Sequence, residues 1–392
     1  MATPAQRILY VEGNVDGTIG GSYYSLLYLV SGLDRARYQP IVVFARDNAL
    51  VARFQAAGAQ VTLHAPPRPT VLPGPLRLLA KGINFVRGMI AEPLRLASLL
   101  RRERIALVHL NNSVIRNHPW MVAARIAGIP CITHERGINP SFPRRAVVLA
   151  KRLTAIVCIS RAVHENFQSL GLGHLRLVTI HNGLDPAEMK LTRSAAEIRL
   201  ELGIGPQQRL IGIVGNIKPW KGQEVVIRAM SALKDRHPDL VCLLLGDNSP
   251  DDARYREHIA SLIRNIGLDR RVIVTGFRPD VANYVNALEI QVHASVNPEP
   301  FGRVLLEGMA LGKPLVASGG GAVPEIVVDG VTGLLFEPGN PSALATCLAQ
   351  LLADPGRAAT MGAAGRRRLE TEFSIEHNVQ ATQAVYRGIL GA

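Results

Sequence analysis

The sequence predicts an α/β protein of two domains, each built on a parallel sheet with helices on both faces. Its 392 residues exceed one ordinary domain. Short runs of Val, Ile and Leu alternate with helical stretches along the whole chain, a pattern typical of parallel strands that are buried on both faces. The composition, 47% apolar and 19% charged, is that of a packed globular protein and excludes a disordered one.

The predicted strands fall into two successive sets. The first set comprises Ile8–Val11, Pro40–Phe44, Gln60–Leu63, Leu107–Leu110, Cys131–Thr133, Ile156–Ile159 and Leu177–Ile180. The second comprises Leu210–Val214, Val241–Leu245, Val272–Val274, Ile290–His293, Leu315–Ala317 and Leu334–Phe336. A turn-rich segment, His181–Pro186, separates the sets. We therefore predict Rossmann-like domains at residues 1–187 and 188–373, a final helix at 374–392, and a ligand in the cleft at the carboxyl ends of the strands.

Two glutamates eight positions apart form the most informative segment. Glu299 lies in a loop with proline and glycine, and Glu307 lies inside the helix predicted to begin near Gly302 and to stop at Gly312. Free N–H groups at a helix N-terminus favour phosphate, and carboxylates can accept hydrogen bonds from sugar hydroxyls. A nucleotide-sugar has a diphosphate between two polyols, so this segment predicts a nucleotide-sugar site.

Loops after other predicted strands carry groups that suit the same ligand. Lys221, in the segment that follows the strand Leu210–Val214, can neutralise a diphosphate. Gly20-Gly21 before a helix, and the run Gly319–Gly321, would let backbone approach a ligand closely. His134 ends a strand and is either a ligand contact or a structural histidine. The pairs Glu12 with Asp16, and Asp251 with Asp252, are predicted to be solvated loops because neither has metal-ligand spacing.

The positive charge is concentrated in the first half of the chain. Of a formal net charge of +13, most comes from residues 68–104, with eight basic and two acidic residues, and 136–161, with six basic and none acidic. Phosphate-bearing substrates, anionic membrane and nucleic acid are possible partners of such a surface. Residues 76–92 read as an amphipathic helix. One face carries Leu76, Leu79, Ile83, Val86 and Ile90, and the other Arg77, Lys81, Asn84 and Gly88.

Cysteine usage and hydropathy indicate the compartment. The four cysteines, Cys131, Cys158, Cys242 and Cys347, have neither metal nor redox spacing, so buried reduced thiols are expected. We predict a cytoplasmic protein, peripheral on the inner face of the membrane if the basic helix docks there, because no signal peptide or long apolar run is present.

Together, these segments resemble the retaining glycosyltransferases of family four, which have the GT-B fold. The similarity covers nearly the whole chain and is carried by residues 215–222, Thr275–Phe277, Glu299–Gly302 with Glu307, residues 324–327 and 329–333. It implies transfer of a sugar from a nucleoside diphosphate donor with retention of anomeric configuration. It also implies that no metal or other cofactor takes part, that the first domain binds a glycan or lipid-linked acceptor, and that the C-terminal helix packs back on that domain.

The resemblance also implies a role for each matching residue. Glu299 would bind hydroxyls of the donor sugar, Glu307 the ribose, and Lys221 the diphosphate, with Gly21 opposite and His134 near the transferred sugar. Glu299, His134 and Lys221 would form the catalytic set. Phe277 and Arg278 would lie near the base. The rest of the donor site would comprise Asn216 and Lys218, and the backbone around Phe301, Gly302 and Val304.

One departure and two competing functions remain open. Many family members have arginine where this chain has Asn216, so Lys218 is a candidate substitute. A sugar-nucleotide epimerase of the same fold would need no acceptor. A basic nucleic-acid-binding protein would interleave aromatic residues with the basic ones, yet the two basic segments contain only Phe85 and Phe142 as aromatics, so we do not expect a nucleic-acid partner.

Overall fold

The structure is a computed structural model that describes residues 4–14, 19–247 and 252–391. The chain divides into two compact units. The first comprises the chain up to Asn182 together with the C-terminal residues from Ile375, and the second is Gly183–Ser374. These divisions lie within a few residues of the boundaries drawn from the sequence. Asp16 and Asp251, which were assigned to solvated loops, lie outside the described residues.

In its described part, the first unit holds a sheet of seven parallel strands in the order β3-β2-β1-β4-β5-β6-β7. The strands are β1 (Gln6–Glu12), β2 (Tyr38–Phe44), β3 (Gln60–Leu63), β4 (Leu107–Leu110), β5 (Cys131–Glu135), β6 (Ala155–Cys158) and β7 (Leu177–Thr179). Strand order reverses between β1 and β4, so the loops after these strands open a crevice at the carboxyl edge of the sheet.

Helices cover this sheet, and the last of them comes from the C-terminus. They are α1 (Gly21–Ser31), α2 (Val51–Ala56), α3 (Arg77–Val86), α4 (Glu92–Arg102), α5 (His118–Ala127), α6 (Arg144–Ala150), α7 (Arg161–Ser169) and, after the helices of the second unit, α16 (Ile375–Leu390). A π-helical turn, Arg87–Ala91, joins α3 to α4. Helix α16 packs on α1, with Val379 and Tyr386 in the apolar core of the first unit.

The described part of the second unit has six parallel strands in the order β10-β9-β8-β11-β12-β13. They are β8 (Arg209–Val214), β9 (Leu240–Leu245), β10 (Val272–Gly276), β11 (Ile290–His293), β12 (Leu315–Ser318) and β13 (Gly333–Phe336). The helices are α8 (Ala195–Glu201), α9 (Gln223–Leu233), α10 (Ala253–Ile266), α11 (Val281–Ala287), α12 (Arg303–Ala310), α13 (Val323–Ile326), α14 (Pro341–Ala353) and α15 (Pro355–Glu372). Here the strand order reverses between β8 and β11.

The predicted fold class is confirmed, since both units are Rossmann-like with parallel sheets and each predicted apolar run overlaps an observed strand. The runs of the inner strands are buried because helices cover both faces of each sheet, which is why they are continuous rather than alternating. The edge strands β3, β7 and β10 are partly exposed. All four cysteines are free thiols, and three of them are buried. Within the described ranges, no helix is both long and apolar enough to cross a bilayer.

Candidate active site

In the second unit, three side chains converge on one oxygen of Glu299. Lys221 Nζ lies 2.9 Å from Glu299 Oε2, Ser295 Oγ donates to the same oxygen at 2.8 Å, and His293 Nε2 lies 3.2 Å from it. Lys221 follows β8, whereas His293 ends β11 and Ser295 and Glu299 lie in the loop beyond. The site therefore forms at the reversal of strand order, where the ends of β8 and β11 are neighbours.

This arrangement keeps Glu299 ionised and leaves its other oxygen open. Only 7% of the residue is exposed. Burial alone would raise the pKa of the carboxyl, but the hydrogen bond from His293 and the charge of Lys221 outweigh it and lower the pKa to about 2. No hydrogen bond from a described residue reaches Oε1 of Glu299. A fixed carboxylate with one unused oxygen can accept a hydrogen bond from a ligand hydroxyl.

Glu307 lies on α12, the helix that begins directly after the Glu299 loop. Gly302 caps this helix with a left-handed φ of 90° and has no side chain to occupy the first free N–H groups. No described residue donates to the Glu307 carboxylate. Burial raises the pKa of that carboxyl, with Arg303 acting in the opposite direction. An unpaired carboxylate and a bare helix N-terminus on one element are compatible with a ligand that has both hydroxyls and phosphate.

The glycine run after β12 is partly explained by the protein's own backbone. Gly321 has φ 64°, and a Cβ atom there would lie 2.3 Å from the carbonyl oxygen of Glu299. Ala322 N donates to that same carbonyl at 2.8 Å. The expectation that close ligand approach explains the run is therefore wrong for Gly321, which is needed so that the Glu299 loop can lie against it.

The three donor-site residues predicted in the loop after β8 have different environments. Lys221 points to Glu299 and also lies over the Trp220 ring, 4.0 Å from its centroid. Lys218 pairs with Asp252 at 3.4 Å, and Asn216 is exposed. Asp252, which was assigned to a solvated loop, is partly exposed and lies directly before α10, where its carboxylate pairs with Lys218. Lys218 would have to leave this pair to replace the missing arginine.

Phe277 and Arg278 follow β10, the edge strand, two strands away from β8. The Phe277 side chain is 72% exposed. Arg278 turns toward Glu201, with its Nη2 atom 3.7 Å from a carboxylate oxygen, and lies over the Tyr284 ring. Among the other donor-site candidates, Phe301 is buried edge-on to Phe373, and Val304 accepts a hydrogen bond from Gln291.

In the first unit, polar side chains gather at the ends of β1, β4 and β5. Glu12, the last residue of β1, is only 1% exposed and accepts a hydrogen bond from Asn111 Nδ2 at 2.6 Å. Arg136 donates in turn to Asn111 Oδ1 at 2.6 Å. His134 is buried on β5, and Gly21 begins α1. The assignment of Glu12 to a solvated loop is wrong, because β1 runs one residue further than predicted and carries it into the crevice.

A cavity of about 420 Å³ opens beside this cluster. Its walls include Glu12, Asn117 and Trp120. The buried Glu92 also lines it. Glu92 Oε1 lies 2.6 Å from His64 Nε2 and accepts a hydrogen bond from Arg95 at 3.0 Å. Glu12 Oε1 and Asn117 Nδ2 are buried without a hydrogen-bond partner among the described residues. Buried polar atoms are normally paired, so these two are exceptions that no contact among the described residues explains.

Several of these side chains were not identified from the sequence. His293, Ser295 and Asn111 each lie at or just beyond the end of a parallel strand, and that position was the available signal. His109 is buried in the middle of β4, and no local pattern marks it. Among residues 4–14, 19–247 and 252–391, no three or more His, Cys, Asp or Glu side chains form a group that could hold a metal ion.

Comparison with known proteins agrees with this architecture at two levels. At the level of fold, two Rossmann-like units with parallel sheets are the GT-B arrangement. The chain superposes on HepE from Anabaena, solved in complex with UDP and glucose, with a TM-score of 0.81 and 25% identity over 98% of this chain and 100% of that one.

At the level of family, residues 19–188 match the model "Glycosyltransferase Family 4" and residues 194–368 match "Glycosyl transferases group 1". The chain therefore belongs to the glycosyltransferases. It is 29% identical over 243 residues to the lipopolysaccharide core biosynthesis mannosyltransferase LpcC of Rhizobium leguminosarum bv. viciae, covering 62% of this chain and 67% of that protein. It is 28% identical over 314 residues to the α-maltose-1-phosphate synthase of Mycolicibacterium smegmatis, covering 71% and 79%.

Proposed function

We propose that this glycosyltransferase moves a hexose from a nucleoside diphosphate donor to an acceptor, with retention at the anomeric carbon. The observation that carries the proposal is the geometry of Glu299. One oxygen is held by Lys221, His293 and Ser295, and the other is open to a hydroxyl of the donor sugar. A hydrogen bond to a fixed, ionised carboxylate is strong and directional, so it orients the sugar for transfer. We also place His134 near the transferred sugar, as the resemblance to the family-four glycosyltransferases implies.

Lys221 is proposed to stabilise the diphosphate as it leaves. Its ammonium has three donors, and the described residues use one of them on Glu299. The remaining donors can bind phosphate oxygens while the pair with Glu299 stays intact. Charge stabilisation by Lys221 and by the N-terminus of α12 would replace the divalent cation that other transferases use. We therefore propose that catalysis needs no metal.

Glu307 is proposed to bind the ribose hydroxyls of the donor. It lies about one helical turn beyond the free N–H groups of α12, the spacing that separates a ribose from its diphosphate. Because its carboxylate has no donor from the described protein, binding a ligand hydroxyl there would satisfy it without breaking an internal bond.

The acceptor is proposed to bind in the cavity of the first unit. Polar residues in its wall, Arg116 and Asn117 among them, can exchange hydrogen bonds with the hydroxyls of a ligand. Trp120 supplies an apolar wall. A sugar of a glycan or of a lipid-linked acceptor has this combination of hydroxyls and apolar ring faces.

A lipid-linked acceptor would require a membrane-facing surface, and we propose that α3 provides it. Most of its large apolar side chains are exposed rather than packed on the sheet, among them Leu78 at 76% and Phe85 at 55%. Arg77 and Lys81 lie on the same helix. Exposed apolar groups next to basic ones suit an anionic lipid interface. Localisation as a cytoplasmic, peripheral protein rests on this proposal.

The decisive experiment is a thermal-shift panel of nucleotide-sugars followed by a turnover assay. A donor that binds raises the melting temperature by mass action, which identifies base and sugar. Turnover is then followed with and without glycan acceptors. Release of nucleoside diphosphate only in the presence of acceptor, with a product of unchanged anomeric configuration by NMR, is expected. If the donor sugar is epimerised in the absence of acceptor, the protein is an epimerase and not a transferase. If the product has the opposite anomeric configuration to the donor, retention is refuted.

A further inference from the structure

Four buried side chains in the first unit form one hydrogen-bonded chain. Tyr10 comes from β1, His109 from β4, His134 from β5 and Tyr386 from α16. The two tyrosine hydroxyls are 3.1 Å apart, and Tyr386 Oη lies 2.5 Å from His109 Nδ1. The other nitrogen of His109, Nε2, lies 2.7 Å from His134 Nδ1. The chain thus joins the C-terminal helix to the histidine that the proposed function places at the transferred sugar.

Both imidazoles in this chain are neutral near pH 7. Burial lowers the pKa of His109 to about 3, and the charge of Arg136 acts in the same direction. Burial and Arg136 likewise lower the pKa of His134 well below its usual value. Each ring therefore carries a single proton. The bond between the rings then fixes both tautomers at once, because only one of the two facing nitrogens can donate.

If each group donates to its neighbour along the chain, the protons can be arranged in two ways; an arrangement in which Tyr386 accepts from both neighbours would leave its own buried proton without an acceptor. In the first, Tyr10 donates to Tyr386, Tyr386 donates to His109 Nδ1, and His109 Nε2 donates to His134 Nδ1. The proton of His134 is then on Nε2. In the second, every bond is reversed: His134 Nδ1 donates and the Tyr10 proton is left at the end of the chain.

The position of Tyr10 decides between these arrangements. Its hydroxyl is buried, and its single hydrogen bond within the described residues is the one with Tyr386. The second arrangement would leave the Tyr10 proton without an acceptor, whereas the first satisfies every proton of the chain up to His134. A buried donor without a partner shifts such an equilibrium by roughly 5- to 150-fold.

We propose that Tyr386 and His109 are positioning residues that hold His134 as the Nε2–H tautomer, so that it donates a hydrogen bond to the donor sugar and cannot act there as a general base. The inference rests on the proposed function for the placement of His134 at the sugar. Nε2 is the ring nitrogen to which no described residue is hydrogen-bonded, so its proton is available to a ligand.

The test combines NMR of histidine nitrogens with kinetics on the full-length protein. Long-range ¹H–¹⁵N spectra distinguish a protonated from an unprotonated ring nitrogen, and the His134 signals are assigned by their loss in His134→Gln. The wild-type protein is expected to show a protonated Nε2 and an unprotonated Nδ1 at His134. A protonated Nδ1 would overturn the proposal before any other variant is made.

The variant Tyr386→Phe removes the hydroxyl that orients His109. We expect a mixture of His134 tautomers and a fall in kcat of about 3- to 10-fold, the equivalent of one ordinary hydrogen bond, with donor KM nearly unchanged. The matched control is Tyr38→Phe. The Tyr38 ring is edge-on to Tyr386 at 5.6 Å, and its buried hydroxyl has no hydrogen-bond partner among the described residues.

The outcomes separate the inference from the proposed function. If Tyr386→Phe leaves the His134 spectrum unchanged, or if Tyr38→Phe alters it equally, the chain does not set the tautomer and the inference fails. If the tautomer shifts as expected while kcat stays at the wild-type value, His134 does not contact the transferring sugar. In that case the assignment of His134 under the proposed function is what fails.

Discussion

Replacing Glu307 by glutamine should weaken nucleoside diphosphate binding while making the free protein more stable. The carboxylate receives no hydrogen bond from a described residue, and burial raises its pKa. Its ionisation therefore opposes folding at neutral pH. Hydrogen bonds from ribose hydroxyls to a charged acceptor are worth about 1.5–3 kcal/mol. Losing them should raise Kd by roughly 10- to 100-fold.

The pH dependence gives this prediction a second, independent check. The folded-state pKa of Glu307 lies above its unfolded value, so the cost of ionisation is present above the folded pKa and vanishes below the unfolded one. The stabilisation gained in Glu307→Gln should therefore be seen at neutral pH and should fade as the pH falls through the raised pKa. Thermal unfolding between neutral and acidic pH measures it.

Glu299→Gln serves as the matched control for these measurements. It makes the same substitution in the same segment, but it removes a charge that Lys221 and His293 do contact. It should lower stability, leave nucleoside diphosphate binding within a few-fold of wild type, and depress turnover. Calorimetric titration with nucleoside diphosphate measures binding. Glu307→Gln that binds like wild type, or that destabilises the free protein as Glu299→Gln does, would refute the reasoning.

Three further predictions test the neighbouring features. Lys221→Met leaves the buried Glu299 short of its cation and should lower the free energy of unfolding at pH 7 by about 3 kcal/mol. The wild-type pair is stabilising above the usual carboxyl pKa of 4.5 and loses this effect as the pH falls toward about 2, so the variant should show a weaker acid dependence in denaturant titrations. Turnover should survive excess chelator, and a complete loss restored by Mg²⁺ or Mn²⁺ would show that a metal is required. Vesicle co-sedimentation should depend on anionic lipid and salt and should fall roughly 100-fold or more in Arg77/Lys81/Arg87→Glu, at about 1 kcal/mol per basic residue. If vesicle binding depends on neither anionic lipid nor salt and survives the triple substitution, α3 does not contact lipid.

The correction at Gly321 shows why glycine runs are hard to interpret from sequence. Three consecutive glycines indicate that something approaches the backbone closely, but the approaching group lies elsewhere in the chain. At Gly321 that group is the carbonyl of Glu299. An alanine there would therefore displace the Glu299 loop before it affected any ligand directly.

The sequence by itself determined the fold class and the segments at the carboxyl edges of the sheets. Apolar runs separated by helices are local patterns, and burial on both faces of a parallel sheet is the condition that produces them. The same locality made the segment from Glu299 to Glu307 recognisable, because a loop, a glycine cap and a helix follow one another directly along the chain.

Only the tertiary structure decided which side chains form ion pairs and hydrogen bonds with one another. Glu299 and Lys221 are 78 positions apart, and Tyr386 is 277 positions from His109. Glu12 reads as a loop residue until β1 is seen to run one residue further and bury it. Hydrogen bonds and ion pairs depend on separations of a few ångströms, and strands distant in sequence reach those separations only when the sheet assembles. The ionisation of Glu299 and the environment of His134 are therefore properties of the fold.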